Sequence, residues 1–268
     1  MASVGTIIDN KYRLTRVLGE GGMGAVYAAE NIGTGKRVAI KTLRADLAQN
    51  KDLLARFFQE ARSATQIEHA NIVEVFDLDI DSVSGEPYIV QELLRGVSLK
   101  QHTDAQPDKR LHPSEALDLL VPIMGALVAA HRRGIVHRDL KPENIFLARN
   151  SSGMIVPKLI DFGISKVMNA DKPVDYRTQG GVPFGTPAYM SPEQTLGEET
   201  IDGQADVWSI GVVLYEALTG RLPFEAPNQN ALVVKITTDE PTPIESFVPA
   251  IPADLAAVVP RAVNPDRE

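Results

Sequence analysis

Between residues 12 and 43, apolar and polar positions alternate in three short runs, Tyr12 to Leu18, Gly24 to Glu30 and Arg37 to Leu43, separated by glycine-bearing turns. A period of two turns one face of each run toward a core, so three antiparallel strands are expected. From Ala55 to Gln66 the period changes, with Phe57, Phe58, Ala61 and Ala64 at the three- and four-residue spacing of an amphipathic helix. Two further runs, Ile72 to Leu78 and Tyr88 to Leu93, complete an expected sheet of five strands with one helix. The character then becomes helical. Ser114 precedes a periodic run through Leu117, Leu120, Val121, Met124, Leu127, Val128 and His131, which predicts a long buried helix bent at Pro122, where a backbone hydrogen bond is lost. Ala205 to Thr219, closed by Gly220, and Asn228 to Thr237 read as two more helices, and residues 102–112 and 167–185 as long loops. The terminal N-P-D-R-E shows no closing helix pattern, as if cut from a longer chain. The pattern is α+β in two parts, a β-rich 12–93 and a helical 94–268.

Composition narrows the function classes. At 268 residues and 44% hydrophobic, the chain can bury a core without staples. Its lack of cysteine removes disulfide frameworks and thiolate metal sites and suits a reducing compartment, so a cytoplasmic setting is expected. A net charge of −8 argues against nucleic-acid and anionic-membrane partners, both of which need a basic face. The first ten residues carry neither a basic region nor a long apolar run, and no uninterrupted apolar stretch reaches the roughly 18 residues of a membrane span.

The candidate chemistry lies between Val136 and Gly163, where V-H-R-D-L-K-P-E-N-I-F-L is followed by a loop and then I-D-F-G. Asp139, Asn144 and Asp161 supply two carboxylates and an amide that can orient a hydroxyl nucleophile and hold Mg²⁺ against a nucleoside triphosphate. Upstream, L-G-E-G-G-M-G-A-V places Gly19, Gly21, Gly24 and Val26 in the pattern G-x-G-x-x-G-x-V, with Glu20 and Gly22 between them. Glycines let backbone amides approach phosphate oxygens. A strand follows this loop where a dinucleotide fingerprint needs a helix, so the hairpin reading is preferred. V-A-I-K then ends an apolar strand at Lys41, which resembles the lysine-bearing strand of protein kinases, and that resemblance makes Glu60 in F-F-Q-E-A-R its expected ion-pair partner ahead of Glu68 and Glu74. Two lures are set aside. Gly33-Thr34-Gly35-Lys36 lacks the outer glycine and hydroxyl of a phosphate loop and reads as a hairpin turn. Asp77, Asp79 and Asp81 lack the glycine of a calcium loop and read as the wet side of a strand.

In order and spacing these motifs resemble eukaryotic-type protein kinases, specifically the bacterial serine/threonine kind, from Tyr12 to Arg267. The resemblance implies a two-lobed fold and transfer of phosphate from ATP, with Mg²⁺ or Mn²⁺, to serine or threonine of protein substrates. It implies that Asp139 orients the acceptor hydroxyl, that Lys141 and Lys41 neutralise phosphate charge, and that Asn144 and Asp161 hold metal. Val26 and Ala39 would cover the adenine, Phe146 would lie beneath it, backbone from Glu92 to Leu94 would bond its edge, and Gln91 would guard the back of the pocket. His137 and Phe162 would be packing residues, the latter with Ala64 and Val75. Asp206 would anchor the catalytic-loop backbone, and Glu193 would bury against Arg267. Thr186 would line the substrate channel. Arg138 would sense phosphate on Thr178, added by autophosphorylation in a transient homodimer, although a solvated loop threonine is the alternative. The domain could belong to a longer, membrane-anchored protein. A scaffold of the same fold without turnover is the other class of function; it would be expected to lack one of these groups.

Overall fold

The computed structural model describes residues 2–162 and 187–264. Thr178, Thr186 and Arg267, together with the 167–185 loop, lie outside the described residues, so the expectations placed on them are not addressed by its geometry.

The first part forms a six-stranded antiparallel sheet in the order β1-β2-β3-β4-β6-β5: β1 (Ile7–Ile8), β2 (Tyr12–Glu20), β3 (Gly24–Asn31), β4 (Arg37–Leu43), β5 (Val75–Ile80) and β6 (Pro87–Glu92). The five expected strands are present. The sixth, β1, was missed because it is two residues long and turns into β2 through Asp9 and Asn10, both left-handed at φ 45° and 54°. Asn and Asp tolerate that region better than other side chains, which suits a tight hairpin. Two helices replace the single expected one. The short α1 (Ala45–Ala48) precedes α2 (Lys51–Thr65), whose N-terminus is capped by Asn50 accepting from the Asp52 and Leu53 amides. The G-T-G-K segment is a hairpin turn as expected, with Asn31 Oδ1 accepting from the Gly33 and Thr34 amides. The acidic strand needs correction: Asp77 and Asp79 are exposed, but Asp81 is only 3% exposed. It caps the turn after β5, accepting from Ser84 and from the Asp9 amide of the β1–β2 turn.

The second part contains a small antiparallel sheet of β7 (Gly96–Ser98), β8 (Ile145–Arg149) and β9 (Ile155–Leu159). Around it lie α3 (Leu99–Asp104), α4 (Pro113–His131), α5 (Pro192–Leu196), α6 (Gln204–Thr219), α7 (Gln229–Thr238) and α8 (Ala253–Ala262). Helix α4 runs through Pro122 as one element. Its buried stripe is Ala116, Leu119, Leu120, Ile123, Ala126, Leu127 and Ala130, whereas Val121 and Val128 face outward. In a helix apolar almost all round, several stripes fit the three/four spacing, and alanines mark the close-packed one. This helix is long and apolar enough to cross a membrane by composition, but it packs on α6 and β9 as the central helix of a core. The helix α8 packs on α6, where Gly211 leaves no room for a Cβ against Ala262 and Val263. Pro260 sits within α8.

The larger hydrophobic core belongs to the second part but also takes in Ala64, Ile67 and Ile72 from the first. Two smaller clusters lie on the faces of the six-stranded sheet. The end of α2 and the segment after it are therefore packed into the helical part.

Candidate active site

Strand β4 delivers Lys41 to the gap between the two parts. Its neighbours in register, Val26 on β3 and Ile89 on β6, share its face, and one step along lie Ala28, Ala39 and Gln91. The Lys41 ammonium is 2.7 Å from Glu60 Oε1 on α2 and 2.8 Å from Asp161 Oδ1, which follows β9. Glu60 is thus the partner of Lys41, while Glu68 and Glu74 are exposed. Burial pulls the lysine's pKa down, but the two carboxylates outweigh it and the net shift is upward. Burial pushes Glu60 up, Lys41 pulls it down and Asp161 pushes again, leaving it at about 7. Asp161 goes the other way, because Lys41 outweighs its partial removal from water. One ammonium shared by two carboxylates thus leaves Glu60 ready to hold a proton near neutrality. Behind the trio is a cavity of about 10 Å³, room for one water-sized sphere, lined in part by Ala64, Ile89, Gln91 and Phe162.

The segment after α4 carries the other half. Asp139 Oδ2 accepts from Lys141 Nζ at 2.9 Å and from Asn144 Nδ2 at 3.2 Å, and the Asp139 carbonyl accepts from the same amide at 2.8 Å. The 3₁₀ turn Pro142–Asn144 leads directly into β8, and Ile160 N donates to Asn144 O at 3.0 Å. Asn144 and Asp161 therefore emerge from the same end of the β8–β9 hairpin. Phe146, opposite Ser98 and Lys158, lies on β8 two residues beyond Asn144.

Asp206 holds this segment in place. It is fully buried and accepts from the amides of His137 (2.8 Å) and Arg138 (2.9 Å) and from His131 Nε2 (2.7 Å). Burial alone would raise its pKa, but the His131 hydrogen bond, nearby His137 and the two amides keep it below the usual carboxylate range. These bonds secure the strained backbone at Arg138, one of two left-handed residues in the site. Arg138 has φ 64°, Asp161 has φ 57°, and a left-handed non-glycine residue costs roughly 1–2 kcal/mol. Gln194 on α5 adds a bond to the Arg138 carbonyl at 2.8 Å. The Arg138 guanidinium donates to Ile201 O at 3.0 Å, while its Nε is buried with no partner among the described residues. Glu193 is buried at the start of α5.

His137 is a core residue. Its ring stands 4.8 Å from that of Phe162, and Nε2 lies 3.3 Å from the Ile160 carbonyl. Burial depresses its pKa against the pull of Asp206 and Asp139. Ala64 and Val75 pack into the same cluster as Phe162.

The glycine loop divides in two. Side chains built at Gly19, Gly21 and Gly22 would meet no atom within 4 Å, so their backbone borders open space. Gly24 is different: a Cβ there would sit 1.8 Å from the Thr42 carbonyl, so close approach of β3 to β4 already requires glycine. At the linker, Glu92 N donates to Glu74 O at 2.9 Å, and Leu94 is part-buried. His131, Gln194 and Lys158 belong to no motif, yet they bond Asp206, the Arg138 carbonyl and Glu92; His131, six residues before His137, carries no sequence signal of its long-range partner.

No group of three or more His, Cys, Asp or Glu among the described residues could enclose a metal. One amide and one carboxylate at a hairpin end do fit Mg²⁺, which usually keeps waters and substrate phosphates in its shell.

The description "Protein kinase domain" matches residues 12–256. The serine/threonine-protein kinase Pkn1 of Myxococcus xanthus is 44% identical over 252 residues, covering 94% of this chain and 35% of that protein. PrkC of Bacillus subtilis is 36% identical, covering 98% and 39%. The chain thus spans little more than a third of the length of these relatives. Among solved structures, the PknI kinase domain of Mycobacterium tuberculosis superposes with a TM-score of 0.74 at 27% identity, over 99% of this chain and 92% of that one. With fold, motifs and family description in agreement, this chain belongs to the protein kinase family.

Proposed function

We propose that the chain transfers the γ-phosphoryl group of ATP to serine or threonine hydroxyls of proteins. The observation that carries the reading is that Lys41, paired with Glu60, reaches within 2.8 Å of Asp161, which emerges beside Asn144 and so joins the Lys41–Glu60 pair to the cluster of Asp139, Lys141 and Asn144. Phosphoryl transfer asks mainly for positioning and charge neutralisation. Lys41, steadied by Glu60, supplies positive charge for the α- and β-phosphates, and the open backbone at Gly19, Gly21 and Gly22 offers amides above them. Val26 and Ala39 cover the adenine, Phe146 supports it, and the backbone from Glu92 to Leu94 meets its edge. Asn144 and Asp161 would hold Mg²⁺ or Mn²⁺, which supplies charge neutralisation on the triphosphate. The Asp139 carboxylate orients the acceptor hydroxyl and takes its proton as the new P–O bond forms and the bond to ADP breaks. Lys141, beside it, offsets charge on the moving phosphoryl group.

A concavity lined in part by Asp139, Lys141, Tyr189, Met190 and Gln194 gives the protein substrate its approach, with Thr186 assigned to its channel. Arg138, whose Nε has no partner among the described residues, is assigned to phosphate on Thr178, placed there by a second copy in a transient homodimer. Burial of Glu193 against Arg267 is carried by the same resemblance. In this reading the unit works in the cytoplasm, as a domain of a longer, membrane-anchored protein. A scaffold without turnover would be expected to lack one of these groups, and all are present. Asp139→Asn and Lys41→Met should each reduce radiolabel transfer from ATP, to the chain itself or to a generic basic protein, by at least a hundredfold while the chain still unfolds in one cooperative transition. Full transfer in either purified variant would sink the role given to that residue.

A further inference from the structure

The covalent linker between the two parts has a second connection beside it. Lys158, on β9, places its ammonium on Glu92 Oε1, the last residue of β6, and 3.3 Å from the Ile72 carbonyl in the connection between α2 and β5. Glu92 Oε1 also accepts from the Glu74 amide at 2.9 Å, and the Glu92 amide returns a bond to Glu74 O at 2.9 Å. The Glu92 backbone is thus fixed from both ends. Around this knot, Asn71 Nδ2 donates to Pro157 O at 2.7 Å, Leu159 N to Asn71 O at 2.8 Å, and Val73 N to Leu159 O at 3.0 Å. The two charged side chains are only 16% and 23% exposed, so their attraction is screened less than that of a surface pair.

The position of the pair gives it a meaning beyond stability. Lys158 is three residues before Asp161 and directly opposite Phe146 on β8. Glu92 begins the backbone assigned to the adenine edge. We infer that the Glu92–Lys158 pair is a latch that holds the base-binding linker in register with the strand presenting Asp161, which makes Lys158 a positioning residue for nucleotide binding. The inference rests on the nucleotide site proposed above. Without the ammonium, the Glu92 carboxylate keeps one neutral donor, the linker gains freedom, and the base end and the phosphate end of the site no longer move as one body. An ordinary structural ion pair would instead lower stability and leave nucleotide affinity alone.

The test is calorimetric titration of the whole chain with ADP and Mg²⁺, alongside steady-state kinetics and thermal unfolding. Lys158→Met should weaken ADP binding and raise the KM for ATP five- to tenfold, with kcat changed less than twofold. Lys158→Arg, which keeps the cation, should restore both constants to within twofold. Glu92→Gln, nearly isosteric, reads the same link should Lys158→Met fail to fold, and the double variant should bind no more weakly than the poorer single one. Unchanged affinity in both single variants, or a fall in kcat with KM unmoved, overturns the latch. A parent chain that binds no ADP overturns the nucleotide reading and the latch with it, whereas parent binding with unmoved variants overturns the latch alone.

Discussion

Two carboxylate sites a short distance apart in the fold are held in opposite ways. Asp206 is fully buried and bound by two backbone amides and one imidazole. Asp161 and Glu60 share one lysine, and Asp161 keeps 42% of its side chain exposed. Amide donors belong to the backbone and cannot leave without unfolding the segment, whereas a lysine on a flexible stem can exchange partners. The first arrangement fixes the shape of the catalytic segment, including the left-handed Arg138. The second can be remade when an anionic ligand competes for the ammonium. Rigidity is placed where geometry must not change, and exchangeable charge where a ligand must enter.

The largest effect should come from breaking the rigid member. Asp206→Asn turns an acceptor of three bonds into a group with one carbonyl oxygen and an NH₂ facing other donors. With two amides left partly unsatisfied and a strained residue released, the loss should be about 3–5 kcal/mol in denaturant unfolding. A loss below about 1 kcal/mol would mean that the Arg138 conformation is set by something other than Asp206.

Acidity separates the two sites next, because their shifts have opposite sign. Asp206 lies below its ordinary value, so its contribution is present above pH 4 and disappears as pH falls through the lower, folded value. Glu60 lies above its ordinary value, at about 7, so the folded chain holds a proton that the unfolded chain has released. Its contribution therefore favours folding near pH 4.5 and is lost as pH rises toward 7. Urea unfolding across pH 4.5–7.5 should show a fall in stability that is smaller in Glu60→Gln, the two profiles diverging by about 3 kcal/mol between the ends of the range. Parallel profiles for the parent chain and Glu60→Gln would show that Glu60 is ionised throughout.

The same contrast explains what could be read from the chain alone. Lys41, Asp139, Asn144 and Asp161 stand in short strings, and a hairpin or turn suffices to present each, so local pattern identified them. Glu60 carries no signal of its own as a helical glutamate; the motif that presents Lys41 calls for a carboxylate partner, and Glu60 is the one placed on the helix that follows. What escaped depends on partners far away in the chain: His131 meets Asp206 across 75 residues, Lys158 meets Glu92 across 66, and Asn71 meets Pro157 across 86. Periodicity carries no information about such pairings. It also misled in α4, where an almost wholly apolar helix offers several equivalent stripes, and it passed over β1 and β7, which are too short to alternate. Gly24 shows another limit, since the motif assigns it to phosphate while a Cβ there would collide with Thr42 O. One residue can satisfy both demands, and sequence pattern reveals only the one it was searched for.

The smallest expected effect asks how much of the rigid site rests on its one side-chain donor. His131 reaches Asp206 Oδ2 at 2.7 Å, but its side chain is 25% exposed, so water can approach the same oxygen from that edge. The His137 and Arg138 amides have no such substitute. His131→Gln offers an amide N–H in a similar place and should cost about 1 kcal/mol or less. Phosphoryl transfer should stay within about twofold of the parent, since the two backbone bonds still hold Arg138 and, through it, Asp139. If His131→Gln instead destabilised the chain as much as Asp206→Asn, the imidazole would be the principal support of the carboxylate. The contrast between backbone-held and side-chain-held charge would then fail at the site that defines it.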